Sequence, residues 1–361
     1  QRNKEKANES ARQVLFIITA ISLVVSLVCL IFQKPLLGLI FGSVDAEVMR
    51  ASETYFFYTA LSFPFIAAYD SAASIFRSQD NTRGPMLISM ISNVMNIVGN
   101  AVMIWVFHMG VAGAALSTLI SRVFCAVVVL IQLRKDRQEI VVRDYFKIRP
   151  NWSMIRRILG IGIPSGVENS MFQLGKLAIQ STVSTLGTAA IAAQAMTNIL
   201  ENLNGIAAIG VGVGLMTIVG QCLGAGRKDE AVYYIKKLCV IAEIVVLVSC
   251  LVVFALTKPV TILGGMEKQS ADMCFHMVMW ITIVKPFVWT MAFIPGYGLR
   301  AAGDVRFSMI TSCCTMWACR FCLCVFLIRG LGFGPMGVWI GMFADWTVRA
   351  IIFTWRFHSR K

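Results

Sequence analysis

Ten apolar stretches, separated by short polar segments, run along the chain. Each is long enough to cross the hydrocarbon core of a bilayer as a helix, which takes about 20 residues. The runs are too long and too uniformly apolar for barrel strands, in which apolar and polar residues alternate. The pattern predicts an all-α integral membrane protein with ten transmembrane helices, at 13–33, 52–76, 84–108, 111–133, 158–185, 190–222, 233–256, 272–298, 306–328 and 335–356.

The second half of the chain repeats features of the first half at a nearly constant displacement. The matching features are Lys34-Pro35 with Lys258-Pro259, Arg77 with Arg300, Arg83 with Arg306, Gly110 with Gly334 and Gly113 with Gly337. The stretch 158–225 has no such counterpart, because its partner would fall before Gln1. We interpret this as two further helices, in roughly 65–70 residues, that precede the chain in the natural protein.

The repeat predicts a lobed architecture of twelve helices in total. A lobe with an even number of helices keeps the orientation of the other lobe, so the two six-helix lobes are expected to be related by a pseudo-twofold axis along the membrane normal. The predicted N-terminal lobe is 1–133, with four of its six helices present. A cytoplasmic linker follows at 134–157, and the C-terminal lobe is 158–361.

The charge distribution fixes the predicted orientation. The chain is 57% hydrophobic and only 14% charged, with a net charge of +14. With the N-terminus in the cytoplasm, 23 of the 33 Lys and Arg residues fall in cytoplasmic segments and 5 in external ones. Positive residues favour the cytoplasmic side, so both termini are predicted to be cytoplasmic in the plasma (inner) membrane of a multi-pass protein. The basic balance indicates topology and contact with the lipid bilayer, and we expect no nucleic-acid partner.

The cysteines and histidines do not predict a metal centre, a cofactor or an enzyme. Five of the eleven cysteines lie in CCTMWACRFCLC at 313–324, inside an apolar span where Cys behaves as a small hydrophobic residue. The three histidines, His108, His276 and His358, lie near span ends and form no catalytic set. We therefore expect no metal site, and no cofactor beyond a transported Na⁺ or H⁺. The sequence contains no P-loop, which argues against an ATP-driven mechanism.

Ionisable residues within spans are the strongest pointers to function. A charge at the bilayer centre costs about 2.5–3.5 kcal/mol on the insertion scale, so it faces a partner or a water-filled cavity. Asp345 and Arg349, four residues apart on one helix, are expected to pair locally. For Glu243 and Arg320, snorkelling, mutual pairing and function stay open. The embedded acids are Asp70, Glu168, Glu201, Glu243 and Asp345, and the embedded bases are Arg122, Lys176, Lys285, Arg320 and Arg349.

Two polar stripes distinguish spans 158–185 and 190–222. Helical spacing places Asn169, Gln173, Lys176 and Gln180 on one face of the first span, with Glu168 at the edge of that stripe after Pro164. A second stripe on the next span comprises Gln194, Asn198, Glu201 and Asn202. The turn at Gly187-Thr188 makes the two spans antiparallel neighbours. Facing stripes that contain an acid and a base favour a cavity wall over simple interhelical hydrogen bonding.

Equal distances from that turn place Lys176 level with Glu201, so the two are predicted to form an ion pair whose opening couples ion binding to conformation. Lys285 is predicted to line the same cavity. In the other half, Asn93, Asn96 and Asn100 share one face of span 84–108, where cavity lining and interhelical hydrogen bonding remain equally open. Trp280, Phe287 and Trp289 are candidates for an aromatic surface.

Several blocks of the sequence resemble the multidrug and toxic compound extrusion (MATE) family. They are IFRSQDNTRGPMLISMISNVMNIVGNAVMIWVFHMGVAGAALSTLISR, ILGIGIPSGVENSMFQLGKLAIQSTVSTLGTAAIAAQAMTNI and GVGVGLMTIVGQCLGAGRKDEA. The resemblance implies twelve helices in two lobes, exchange of Na⁺ or H⁺ for cationic and often aromatic compounds, and access that alternates between the two faces. The family's acidic residue on its seventh helix falls about one turn from Glu168, near Phe172.

Together these observations predict an ion-gradient-driven antiporter that exports small cationic or amphipathic compounds by alternating access, and that works as a monomer. Glu168 and Glu201 are the predicted ion-coupling residues. One alternative is a lipid-linked saccharide flippase of the same superfamily, since Lys176 and Lys285 would suit an anionic headgroup. A second alternative is a membrane-embedded enzyme, against which stands the absence of a His/Asp or Ser/His set at membrane depth.

Overall fold

The computed structural model describes residues 4–41, 46–135, 140–142 and 150–359, and none of these forms a strand. The chain divides into two compact units, Gln1–Ile158 and Leu159–Lys361. Much of the predicted linker at 134–157, namely 136–139 and 143–149, lies outside the described residues. Its described end is held to the first helix, because the Asn151 backbone N–H donates to Gln13 (3.1 Å) and the Asn151 amide donates to Glu9 (2.7 Å).

The N-terminal unit is built from α1 to α5. Its core is small, and Phe76, Val129 and Leu133 are fully buried within it. α3 packs against both α1 and α5, and α4 packs against α5. The helices are α1 Lys4–Ile31, α2 Gln33–Phe41, α3 Ala46–Ser78, α4 Arg83–Ala101, which continues as a π-helical turn over Val102–Val106, and α5 Gly110–Leu133.

The C-terminal unit is built from the next seven helices. α7, α8 and α9 pack against one another, and α12 packs against α9. Gly187, which precedes α7, has φ +94°, a left-handed conformation that glycine adopts without steric cost. The helices are α6 Trp152–Val183, α7 Thr188–Gly224, α8 Lys228–Leu263, α9 Lys268–Ala301, α10 Val305–Thr315, a π-helical segment Met316–Cys322, α11 Leu323–Arg329 and α12 Met336–Ser359.

Eight helical stretches of the described residues are long and apolar enough to cross a membrane. They correspond to eight of the ten predicted spans. The remaining two spans, 52–76 and 158–185, form α3 and α6. With 33 and 32 residues these helices are long enough to cross a membrane, but they are less apolar than the other eight. Both carry an internal proline, Pro64 and Pro164. The polar stripe that predicted a cavity wall is the reason that α6 is less apolar.

Small residues bring the helices of the C-terminal unit close together, as is common where lipid replaces water around a protein. A methyl group added at Gly212 on α7 would lie 2.5 Å from two ring carbons of Tyr297 on α9. Gly214, two residues further along α7, has no such neighbour within 4 Å. The same substitution at Gly212 and at Gly214 therefore separates the effect of helix contact from the effect of helix propensity.

Gly212→Val is expected to destabilise the protein, because the ring of Tyr297 must move within a packed interface, and such overpacking costs about 1–3 kcal/mol. Gly214→Val makes the same chemical change at an open position and serves as the control. Thermal unfolding of the purified protein in detergent would measure both. A melting temperature of Gly212→Val that equals that of Gly214→Val would contradict the close α7–α9 contact.

Candidate functional site

A cavity of about 780 Å³ lies within the C-terminal unit. Its wall is formed by α6, α7, α9, the π-helical segment and α12. The polar and charged lining residues are Glu168, Asn169, Gln173, Lys176, Gln180, Gln194, Asn198, Glu201, Asn202, Arg300, Arg320 and Arg349, and the aromatic ones are Phe172, Trp289, Phe293, Tyr297, Trp346 and Phe353. The volume is in the range of small-molecule sites.

The two polar stripes of the sequence come together in this cavity. All four residues of the α6 stripe and all four of the α7 stripe line it, as does Glu168. The α7 stripe is tied to α12, because Trp339 Nε1–H donates to Gln194 Oε1 (3.1 Å). Gln194 in turn donates to Asn198 on its own helix at 3.4 Å. The stripes are therefore a cavity wall rather than a pair of faces that only bind each other.

Glu201 forms an ion pair with Lys285, not with Lys176 as predicted. The Lys285 ammonium on α9 lies 2.9 Å from Glu201 Oε1 and is fully buried. It also lies 5.3 Å from the ring centroid of Trp289. Lys285 was predicted to line the cavity, but it is fully buried and is not among the lining residues. Depth along two helices could not distinguish the partners, because Lys285 approaches from a third helix.

Glu168 forms an ion pair with Arg300 near the C-terminal end of α9. The distance between Arg300 Nη2 and Glu168 Oε1 is 2.5 Å, and the Glu168 side chain is 10% exposed. Arg300 Nε donates to Ser308 Oγ at 3.0 Å, which orients the guanidinium. The sequence placed Arg300 in a cytoplasmic segment, yet its side chain lines the cavity and binds an acid on α6.

Asp345 and Arg349 pair on α12 at 3.0 Å, which confirms the local pairing expected from their spacing. Both are buried, and the guanidinium also donates to Ser312 Oγ (3.2 Å) and Thr315 Oγ1 (3.1 Å) on α10. A positive charge in a dry interior is stabilised only by such multiple partners. This pair joins α12 to α10.

Lys176 and Arg320 both lie over the ring of Phe172. The Lys176 ammonium lies 5.4 Å from the ring centroid of Phe172, and the Arg320 guanidinium carbon lies 5.1 Å from the same centroid. Within the described part of the chain, neither side chain forms an ion pair, although the charge of Glu201 acts on both at longer range. Lys176 is exposed and lines the cavity, whereas Arg320 is partly buried and its Nε has no hydrogen-bond acceptor. Cation–π contact is weaker than an ion pair, so it compensates only part of the cost of burying the Arg320 charge.

The irregular backbone around Arg320 explains how it reaches the cavity. Met316–Cys322 is a π-helical segment, a departure from α-helix that is frequent at functional sites. α12 lies close against it, because a methyl group on Gly341 would be 3.0 Å from the Arg320 carbonyl oxygen. Gly341 therefore permits the approach that places Arg320 beside α6 and α12.

A family comparison now adds to this geometry. The MatE family model matches residues 1–102 and 164–326, which is most of the chain. The chain belongs to the MatE family. The resemblance drawn from the sequence blocks is thereby confirmed, and this member is a multi-pass membrane protein of a transporter family.

Individual relatives of this MatE protein are distant but extensive. The probable multidrug resistance protein NorM of Thermotoga maritima is 25% identical over 320 residues, which cover 87% of this chain and 68% of that protein. The uncharacterized transporter YisQ of Bacillus subtilis is 27% identical over 366 residues, covering 99% of this chain and 79% of that protein. The solved outward-facing conformation of a multidrug resistance MATE family transporter of the MOP superfamily has a TM-score of 0.90 at 17% identity, with 99% of this chain and 80% of that chain covered. The structural likeness shows the fold.

The asparagines of the other unit play a different part in this MatE protein. Asn96 donates to Thr118 on α5 at 3.2 Å, and Asn100 donates to Asn96 at 3.3 Å. Ser117 on α5 also donates to the Asn96 carbonyl. Asn93 is exposed. Asn96 thus joins α4 to α5, while Asn100 bonds to Asn96 within α4, which favours interhelical hydrogen bonding over the alternative of cavity lining.

The sequence pattern did not assign three residues to the MatE site, or indicated them only in part. These are Arg300, Arg320 and Phe172. Arg300 was assigned to a loop, and Phe172 was noted only as the position near the family's acid. Arg320 carried one detectable signal, since it is an arginine within a span without an acid one turn away. Among the aromatic candidates, Trp289 lines the cavity, whereas Phe287 is 80% exposed and Trp280 is 47% exposed. The described residues contain no group of three or more His, Cys, Asp or Glu placed to hold a metal.

Proposed function

We propose that this MatE protein is a secondary active exporter of small molecules, driven by a Na⁺ or H⁺ gradient, and that the cavity of its C-terminal unit holds the substrate. The observation that carries the proposal is the cavity itself: about 780 Å³, amphipathic, and enclosed by helices of membrane-spanning length. The names of relatives as multidrug resistance proteins support export of small amphipathic compounds. Membership of a transporter family favours transport over a membrane-embedded enzyme.

The proposal assigns ion coupling to Glu168 and Glu201. Each carboxylate lines the cavity and is bound to a cation on α9, Arg300 and Lys285 respectively. Protonation of either carboxylate, or its coordination of Na⁺, would release that cation and change how α9 is held against α6 or α7. A coupling ion acts in this way because it favours one of two conformations over the other.

The proposed architecture is the one that the repeat predicts. The ten predicted transmembrane helices would form two lobes, at 1–133 and 158–361, joined by the linker at 134–157. The lobes would be related by a pseudo-twofold axis along the membrane normal and would alternate access by moving as units. Both termini would be cytoplasmic in the plasma membrane, and the protein would act as a monomer. The charge asymmetry of the loops supports this orientation.

Transport by the purified full-length protein in proteoliposomes tests the proposal. An imposed Na⁺ or H⁺ gradient is expected to drive accumulation of a fluorescent amphipathic dye, and an ionophore that dissipates that gradient is expected to abolish it. Accumulation that needs ATP and no ion gradient would contradict the proposal, as would the absence of any gradient-dependent dye movement.

A second candidate is a flippase for lipid-linked saccharides, and the surplus of positive residues in the cavity favours it. Four cationic side chains line the cavity against two carboxylates. Loss of a flippase would make a lipid-linked intermediate accumulate in the cytoplasmic leaflet of the producing cells. Loss of an exporter would instead raise sensitivity to a toxic compound without such accumulation.

A further inference from the structure

The charges of the cavity do not balance. Of the four cations in its wall, Arg300 is paired with Glu168, and Arg349 is paired with Asp345. The other lining carboxylate, Glu201, is taken by buried Lys285. Lys176 and Arg320 are left over, because among the described residues neither is in an ion pair, and Glu201, whose charge acts on both at longer range, is already bound to Lys285.

We propose that Lys176 and Arg320 form a binding site for an anionic group, a carboxylate or phosphate, on an aromatic or apolar substrate. The inference rests on the proposed transport function and specifies its substrate class. Two like charges near one ring repel each other, and the partly buried Arg320 lies within a membrane-spanning helix, where unpaired charge is costly. An anion between them would remove both penalties together.

The donors are suited to such a group. Arg320 Nε is buried without an acceptor, so it keeps an unused donor for an oxygen of the ligand. A guanidinium binds carboxylate and phosphate in a two-pronged geometry, and an ammonium adds a strong point charge beside it. Phe172 is a shared contact of the two cations, because both lie about 5 Å from its ring centroid.

Snorkelling does not explain these two residues. Arg320 is nine residues before the end of α11 at Arg329, and α11 continues directly from the π-helical segment. Nine residues correspond to about 13 Å of helix, beyond the reach of an arginine side chain from mid-span. The head group instead lies over Phe172 on the neighbouring helix. The Lys176 side chain likewise extends over Phe172, which lies one turn closer to the middle of α6, the helix that carries both residues.

The rest of the wall indicates the body of the ligand. Trp289, Phe293 and Trp346 contribute apolar aromatic atoms to the wall of the same cavity. Aromatic side chains pack well against planar ligands. The site therefore fits an amphipathic anion, either free in solution or presented as the headgroup of an anionic lipid.

Two xanthene dyes of similar size and opposite charge test the inference. Fluorescein is an anion and rhodamine 6G is a cation, and fluorescence anisotropy reports binding of each to the purified full-length protein in neutral detergent. Fluorescein is expected to bind more tightly than rhodamine 6G. Lys176→Gln and Arg320→Gln are each expected to weaken fluorescein binding at least about tenfold, with no loss of rhodamine binding.

Charge-preserving and remote variants complete the design. Lys176→Arg and Arg320→Lys keep the charge and are expected to retain most of the fluorescein affinity. Lys236→Gln and Arg329→Gln remove the same charge from exposed positions outside the cavity and should leave it unchanged. If Arg320→Gln does not fold, Lys176→Gln and Arg320→Lys still decide the outcome. Tighter binding of rhodamine 6G by the wild type, or wild-type fluorescein affinity in Lys176→Gln, would overturn the inference.

Nanodiscs distinguish the two sources of the anion. If phosphatidylglycerol, compared with phosphatidylcholine, competes with fluorescein in the wild type and not in Lys176→Gln, the natural ligand is a lipid headgroup. Equal binding in both lipids indicates a free anion. Proteoliposomes separate the inference from the function on which it rests: fluorescein that binds through Lys176 but does not move under any ion gradient would refute the exporter and leave the anion site standing.

Discussion

Glu201→Gln is expected to destabilise the protein by about 3–5 kcal/mol, because it leaves the buried Lys285 ammonium without its partner. Lys285→Met is expected to destabilise it less, because the carboxylate that it leaves, Glu201, is 18% exposed and lines the cavity. The Lys285 ammonium is fully buried, and Glu201 Oε1 is its partner at 2.9 Å. The double variant Glu201→Gln/Lys285→Met removes both charges and is expected to recover most of the lost stability. Denaturant titration in detergent, with all four proteins compared, measures the coupling between the two side chains.

An exposed pair provides the control for this cycle. Arg227 and Glu230 are three residues apart at the start of α8, with side chains that are 66% and 51% exposed. Removing either charge there should change stability by no more than about 1 kcal/mol. Additive effects of Glu201→Gln and Lys285→Met would show that the two do not form a pair in the native protein. A stable double variant that still transports under an ion gradient would remove Glu201 from the coupling step.

Glu168→Gln is expected to reduce gradient-driven transport at least tenfold while the protein stays folded, since about 1.4 kcal/mol corresponds to a factor of ten. The amide keeps the size of the side chain but neither exchanges a proton at neutral pH nor pairs as a charge with Arg300. Ser308 still accepts from Arg300 Nε, so the guanidinium keeps one partner. Dye transport in proteoliposomes, together with gel filtration, measures both parts of the expectation.

The matched control joins the start of α10, just after the C-terminal end of α9, to α12 and lies outside the cavity. Asp304 and Arg356 form an ion pair at 3.0 Å, with side chains that are 14% and 21% exposed, close to the values for Glu168 and Arg300. Neither residue lines the cavity. Asp304→Asn is therefore expected to leave transport near the wild-type level. Equal losses in Glu168→Gln and Asp304→Asn would mean that these ion pairs only hold the helices together.

Local features of the site could be predicted from the sequence because they depend on helical geometry alone. Side chains spaced by three or four residues share a face, so the stripes of α6 and α7 were identifiable, and so was the Asp345–Arg349 pair. The short connection at Gly187 predicted that α6 and α7 are neighbours; the two helices do not pack closely along their length, yet their stripes line one cavity.

Partners that are distant in sequence could not be predicted in the same way. Lys285 is 84 residues from Glu201, and Arg300 is 132 residues from Glu168. Charge counting showed that embedded acids and bases needed partners, but the choice depended on how α9 is rotated and how deeply it sits against α6 and α7. The equal depths of Lys176 and Glu201 were compatible with a pair, yet Lys285 is nearer because it approaches from the buried side.

The sequence by itself determined the helices, their apolar surfaces and the family, since these follow from the length of apolar runs, from 3.6-residue periodicity and from blocks of residues in order. The tertiary structure decided which charges neutralise one another and which remain. The π-helical segment Met316–Cys322 turns Arg320 into the cavity, and Gly341 allows α12 to pack beside it. Because electrostatic pairing acts across a few ångströms between helices far apart in the chain, only the packed arrangement determines that Glu201 pairs with Lys285 and that Lys176 and Arg320 stay outside the ion pairs of the described residues.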